Sequence, residues 1–260
     1  MSHRPWIFNA VMVFCLALSN SANAFSLPQP KGAEEASRSA HIQLKATQGD
    51  ADAQYLLGLM YLSGRYIAQD RALGAKWVTA AATSGHVKAQ QTMADLSFEG
   101  SLIARDLSTA EQWYSELSKQ GHKWANFRLG SIYAAGGEGV KRNCGKAVEQ
   151  FNAVGDEVSL GNIAWILATC PEAQYRNGDK ALELSLALLE ANKQDPTNLD
   201  NLAAAYAEIG DFDAAISTQQ KAIKALNLSA DHSKNAEFKL RLKNYQNDKP
   251  YREVLPLIAE

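Results

Sequence analysis

Apolar residues recur at helical spacing along most of this chain, and the spacing itself repeats. Ala53, Leu56, Leu57, Met60 and Tyr61 fall three and four apart, which predicts one buried helix face. Gly64 then supplies a helix stop. Asp70 offers a carboxylate to the free N–H groups of a second helix, whose apolar stripe is Trp77, Ala80 and Ala81 and which ends at Gly85. The same order returns in Ala89, Met93, Ala94, Gly100, Asp106, Trp113 and Gly121. It returns again in Ala125, Leu129, Gly130 and Tyr133, with a longer loop at residues 136–140, Asn143 as the cap, and Phe151 in place of the tryptophan. Gly49, Gly85 and Gly121 stand 36 residues apart. A fixed period of this length marks an array of helix pairs, an architecture that presents an extended face to other proteins.

The pattern changes at both ends. Residues 34–48 read as an orphan second helix, suited to cover the exposed apolar end of an array. Past Gly155, an apolar helix over residues 160–169 is ended by Cys170-Pro171, because proline cannot continue it. A loop through Asn177-Gly178 leads to a helix over residues 180–191, which Asp195-Pro196 breaks. Leu199, Leu202, Ala203, Tyr206, Gly210, Phe212, Ala215 and Ala222 then describe another helix–turn–helix. One more helix is expected over residues 236–246, packing through Phe238, Leu240 and Leu242, with residues 251–260 as a tail.

The order A-x-x-x-L-G-x-x-Y-x-x-G, then D, then W, then AA-x-x-G resembles the Sel-one-like repeat, a relative of the tetratricopeptide repeat. Ala53, Leu57, Gly58, Tyr61, Gly64, Asp70, Trp77, Ala81 and Gly85 carry it. The segment LAAAYAEIGDFDAAI is similar to the tetratricopeptide repeat itself. The resemblance implies an all-α fold, a right-handed solenoid of antiparallel helix pairs. It divides the chain into three Sel-one-like repeats at 49–155, two tetratricopeptide-like repeats at 156–228, and capping segments at 25–48 and 229–260.

The first 24 residues read differently. A basic start at Arg4, an apolar stretch from Ile7 to Leu18 and an Ala22-Asn23-Ala24 cleavage site form the layout of a secretory signal peptide. The apolar stretch is short for a bilayer span. The expectation is a periplasmic protein that begins at Phe25, with no membrane span after cleavage; the alternative is an uncleaved N-terminal anchor. Cleavage would leave two cysteines, Cys144 and Cys170, in a compartment where disulfides persist. One opens a predicted helix and the other ends the next, so an antiparallel pair brings them together. The alternative is two separate small core residues.

Charge and motifs narrow the function. Lys and Arg number 26 against 28 Asp and Glu, with no dense basic stripe, so no nucleic-acid partner is expected. No H-E-x-x-H or Ser-x-x-Lys motif is present, and no catalytic residue, metal ligand or cofactor is expected. His86 and His122 hold the same place in adjacent repeats, about 8–10 Å apart by helix packing, too far for one ion. They read as polar turn residues. Trp77 and Trp113 read as core.

The resemblance implies an adaptor that binds an envelope protein or peptide along its first helices. Candidate contacts are the residues that the repeat pattern leaves free: Gln54, Gln90, Gln91, Asn126, Arg128, Asn162, Asn201 and Glu208. The rival expectation is a cell-wall-active or β-lactam-hydrolysing protein, as some cysteine-rich members of the family are held to be.

Overall fold

The computed structural model describes residues 31–228 and 233–253. The expected signal peptide lies outside these residues. Among them are twelve α-helices and no strand. A first helix, α1 (Lys31–Thr47), is followed by three hairpins: α2 (Ala51–Ser63) with α3 (Arg71–Thr83), α4 (Val87–Glu99) with α5 (Leu107–Lys119), and α6 (Lys123–Ala135) with α7 (Cys144–Val154). Two more follow: α8 (Glu157–Thr169) with α9 (Gly178–Ala191), and α10 (Pro196–Glu208) with α11 (Phe212–Leu228). The last helix is α12 (Asn235–Tyr245). Each helix packs on the next in sequence, so the molecule is an all-α solenoid of antiparallel pairs.

Local chemistry sets where these helices begin and end. Asp50, Asp70, Asp106 and Asn143 each accept a hydrogen bond from the backbone N–H three residues on, at 2.9–3.1 Å. Such a cap contributes about 1 kcal/mol. His86 does the same through Nδ1, which accepts from the Ala89 N–H at 3.0 Å. Gly64 closes α2 with φ +70°, a left-handed turn that glycine adopts without strain. Within the first hairpin, α2 and α3 approach so closely that a Cβ on Gly58 would lie 2.5 Å from Val78 Cγ2 and 2.9 Å from its backbone nitrogen. Gly58 and Gly74 face each other at this crossing.

One apolar core runs from Leu62 through Val78, Phe98, Trp113, Leu129 and Phe151 to Ile163 and Ile166 on α8. The opposite side of α8, with Trp165 and Ala168, packs instead against Ala181, Ala204 and Ala205. So α8 belongs to both halves of the array. Cys144 at the start of α7 and Cys170 just past α8 are joined, with sulfurs 2.18 Å and Cα atoms 6.6 Å apart. Beside them, Arg142 pairs with Glu172 and holds its carboxyl below the usual carboxylate range.

The C-terminal region departs from the sequence reading. α12 buries Phe238, Arg241 and Tyr245, while Leu240 is half exposed. An arginine occupies the packed face because Asp200 of α10 meets it, with Arg241 Nε 3.0 Å from Asp200 Oδ1. Residues 251–253, expected to begin a tail, instead run back across α8. The Glu253 N–H donates to the Thr169 carbonyl at 3.1 Å.

Candidate protein-binding face

The first helices of the five pairs, α2, α4, α6, α8 and α10, present a comparable stripe. Counted from the capping residue, positions five, six and nine are Tyr55, Leu56 and Leu59 on α2; Gln91, Thr92 and Asp95 on α4; and Phe127, Arg128 and Ser131 on α6. None of these nine is buried. On α8 and α10 the same positions are Gly161, Asn162 and Trp165, then Asp200, Asn201 and Ala204. Four of these six are buried, Trp165 among them. The stripe is open along the first half of the array and covered along the second.

The open half is aromatic and charged. The Tyr55 and Thr92 hydroxyls are 3.1 Å apart and link α2 to α4. Tyr55 packs on the His86 ring at 4.7 Å, and His86 Nε2 sits 3.1 Å from the Asp52 carboxylate. On α6, the Arg128 guanidinium lies over the Phe98 ring at 4.8 Å and near that of Trp124 at 5.9 Å. Arg128 Nε is buried and makes no hydrogen bond. The Tyr114 hydroxyl donates to Asp95 at 2.9 Å. Burial is the largest influence on the Asp95 carboxyl and raises it above its usual range, against the lowering effects of Tyr114 and Arg128. Trp124 stands edge-on to Tyr114 at 5.2 Å and keeps 36% of its surface exposed. A cleft of about 340 Å³ between α1 and α2, lined by Arg38, Ile42, Leu56, Met60 and Tyr66, continues this face at the N-terminal end.

The eight residues selected from the sequence fall into three settings. Gln54 and Gln90 are buried, and each donates through Nε2 to a carbonyl in the last turn of the preceding helix, Ala46 and Ala82 respectively, at 3.2 Å. Asn126 is buried too and bonds the Ser118 hydroxyl of α5. These three tie repeat to repeat. Gln91 and Arg128 lie on the open stripe, and Asn162 is half-buried on α8. Asn201 is buried and donates to the Gly161 carbonyl at 3.0 Å. Glu208 accepts from Arg176 at 2.8 Å and pairs with Arg252 at 2.6 Å.

Sequence reasoning did not select Tyr55, Asp95, Trp124 or Phe127. The signal lay in residues 123–128, KWANFR, where two aromatics and an arginine share one helix face at positions that elsewhere in the repeat are polar. His122 caps α6 without a side-chain bond. Trp113 is buried in the first core, and Trp77 packs against Ala53 and Leu57.

Residues 51–86, 87–122 and 125–149 match the Sel1 repeat. The chain carries three Sel1 repeats. A solved Sel1 repeat protein from Oxalobacter formigenes is similar over 76% of this chain, at 20% identity and a TM-score of 0.57, and this chain spans 58% of its length. A second solved structure is c5321, a protective antigen present in uropathogenic Escherichia coli strains displaying an SLR fold. It aligns over 89% of this chain and 63% of its own, at 21% identity and a TM-score of 0.41. The first likeness establishes the fold. No curated protein matches the chain.

Proposed function

We propose that this protein is a non-catalytic scaffold of the bacterial cell envelope that holds a protein or peptide on the open first-helix face of its Sel1 half. Sel1 repeat proteins act in general as protein-interaction scaffolds. The observation that carries the reading to particular residues is the exposed group Trp124, Phe127 and Arg128 beside Asp95. Tryptophan, tyrosine and arginine dominate the energetics of protein interfaces. An arginine already stacked on aromatic rings is pre-ordered for a carboxylate. The envelope assignment rests on the signal-peptide pattern of residues 1–24 and is supported by the joined cysteines, which suit an oxidising compartment. The helix pairs after Gly155 are, on this reading, tetratricopeptide-like modules that extend the array.

Site-specific photo-crosslinking in cells tests this. A crosslinker at Gln91 or Phe127 is expected to capture one or two dominant proteins, and one at Gln112 or Lys119 on α5 is not. Equal capture from both sets would assign binding to another face. Fractionation should release the mature chain with the periplasm, beginning at Phe25; a chain that stays in the cytoplasm would overturn the envelope assignment. Hydrolysis of a chromogenic β-lactam by the purified protein would replace the scaffold reading with the enzymatic one.

A further inference from the structure

The second half of the array has a peptide-like occupant, and that occupant is the chain itself. Tyr251, Arg252 and Glu253 cross the end of α8 and meet it through the features by which an extended peptide is recognised. α8 stops at Thr169, because Cys170 and Pro171 turn away, so its last carbonyls have no donors within the helix. Two of them are taken by the strap. The Glu253 N–H donates to the Thr169 carbonyl at 3.1 Å, and Arg252 Nη1 donates to the Ala168 carbonyl at 3.2 Å. The negative end of a helix favours a cation there. The second guanidinium nitrogen of Arg252 reaches Glu208 at 2.6 Å. The Trp165 indole N–H donates to the Glu253 carboxylate at 3.1 Å, and the Tyr251 ring packs beside the Trp165 ring at 6.1 Å. Backbone, cation, anion and aromatic each have a separate receptor on the floor.

The strap lies on this floor without sinking into it, since all three of its residues remain half-buried. The floor itself is chemically unlike an apolar core. An indole, a carboxylate and two helix-end carbonyls meet the strap there. A site of that composition stays satisfied only while a segment with matching groups lies on it.

We propose that residues 251–253 are the resident ligand of a peptide-binding site formed by α8 and α10. The site takes, in their place, an extended partner segment with an aromatic residue, an arginine and an acidic residue in consecutive positions. The existence of such a partner rests on the scaffold reading; the site itself does not. A tethered occupant competes at high effective concentration, so a partner must displace the strap, and apparent affinity falls with the fraction of open sites.

The test uses a fluorescein-labelled peptide of residues 246–253 and fluorescence anisotropy. The full chain carrying Tyr251→Ala and Arg252→Ala is expected to bind the peptide at least about tenfold more tightly than the unaltered chain, because its own strap no longer competes. Adding Glu208→Gln should remove that gain, as should arginine-to-alanine replacement within the peptide. Equal binding by the two chains overturns the proposal. So does no binding by a double variant that keeps its helix signal and melting temperature. Where the double variant does not fold, the unaltered chain decides. Saturating unlabelled peptide should speed hydrogen exchange at the Glu253 amide, and an unchanged rate overturns the proposal. The probe is the chain's own segment, so a missing cellular partner for the Sel1 face leaves this result intact.

Discussion

At the scale of single residues, the pair Asp200–Arg241 decides how the C-terminal helix sits. Arg241 is buried, with its guanidinium 5.0 Å from the Trp165 and Phe238 rings and 5.4 Å from that of Tyr251. Asp200 accepts from Arg241 and, at 2.7 Å, from Gln219. Burial nonetheless outweighs both partners and the Asp200 carboxyl is pushed up to about 6, with Glu253 adding a small push in the same direction. Since its folded-state value lies above the unfolded one, the protonated form is favoured by folding. The associated stability is complete near pH 3.8 and is lost as pH rises through about 6. Urea titrations of the unaltered chain and Asp200→Asn between pH 4 and 7 should therefore show the difference moving against the unaltered chain as pH rises. The expected change is on the order of 1–3 kcal/mol. Parallel curves would mean that Asp200 titrates elsewhere. Arg241→Met leaves a buried carboxylate without its cation and is expected to cost about 3–5 kcal/mol at pH 7. The exposed Lys243→Met should stay within about 0.5 kcal/mol. None of this was legible in the sequence. Periodicity assigns Arg241 to a polar face, and the partner that reverses the assignment lies 41 residues away.

At the scale of elements, far more could be read in advance. Each hairpin of the Sel1 half is specified twice, by apolar spacing and by its terminal residues, so Asp50, Asp70, Asp106 and Asn143 cap helices where the pattern placed them. These signals act over three or four residues, and that is the range a sequence pattern exposes. The close crossing of α2 and α3 was also visible, as a glycine among apolar positions. Gly58→Ala should cost about 1–3 kcal/mol, the usual range for overpacking, because Val78 meets the new methyl with its backbone as well as its flexible end. Thermal unfolding of that variant checks it, and an unchanged melting temperature would mean that the hairpin opens without strain. The binding stripe was only half legible. Gln54, Gln90 and Asn126 are polar and free of the repeat pattern, as a contact residue would be, but they satisfy carbonyls and hydroxyls of the preceding helix. A polar residue that joins two repeats and one that joins two proteins leave the same trace in a single sequence. The aromatic members of the stripe, Trp124 and Phe127, instead resemble core.

At the scale of the whole molecule, the array is held by contacts between neighbours, so its parts need not open together. The joined cysteines cross the one place where the repeat type changes, from α7 to the end of α8. They close a loop between positions 26 residues apart, for which the chain-entropy account gives about 3 kcal/mol. That stabilisation acts on α7, α8 and the segment through Asn177, whose N–H donates to the Leu167 carbonyl at 2.9 Å. α2 through α5 are tied to this region only through α6. Hydrogen exchange before and after reduction should thus show faster opening in α7 and residues 171–177, with α2 to α5 nearly unchanged. α8 should fall between, since Ile163 and Ile166 remain anchored in the first core while Trp165 and Ala168 are held by the second. An even loss of protection from α2 to α11 would show instead that the array opens as one cooperative unit. The two first-helix faces, open before the junction and strapped after it, would then have to respond to a partner together.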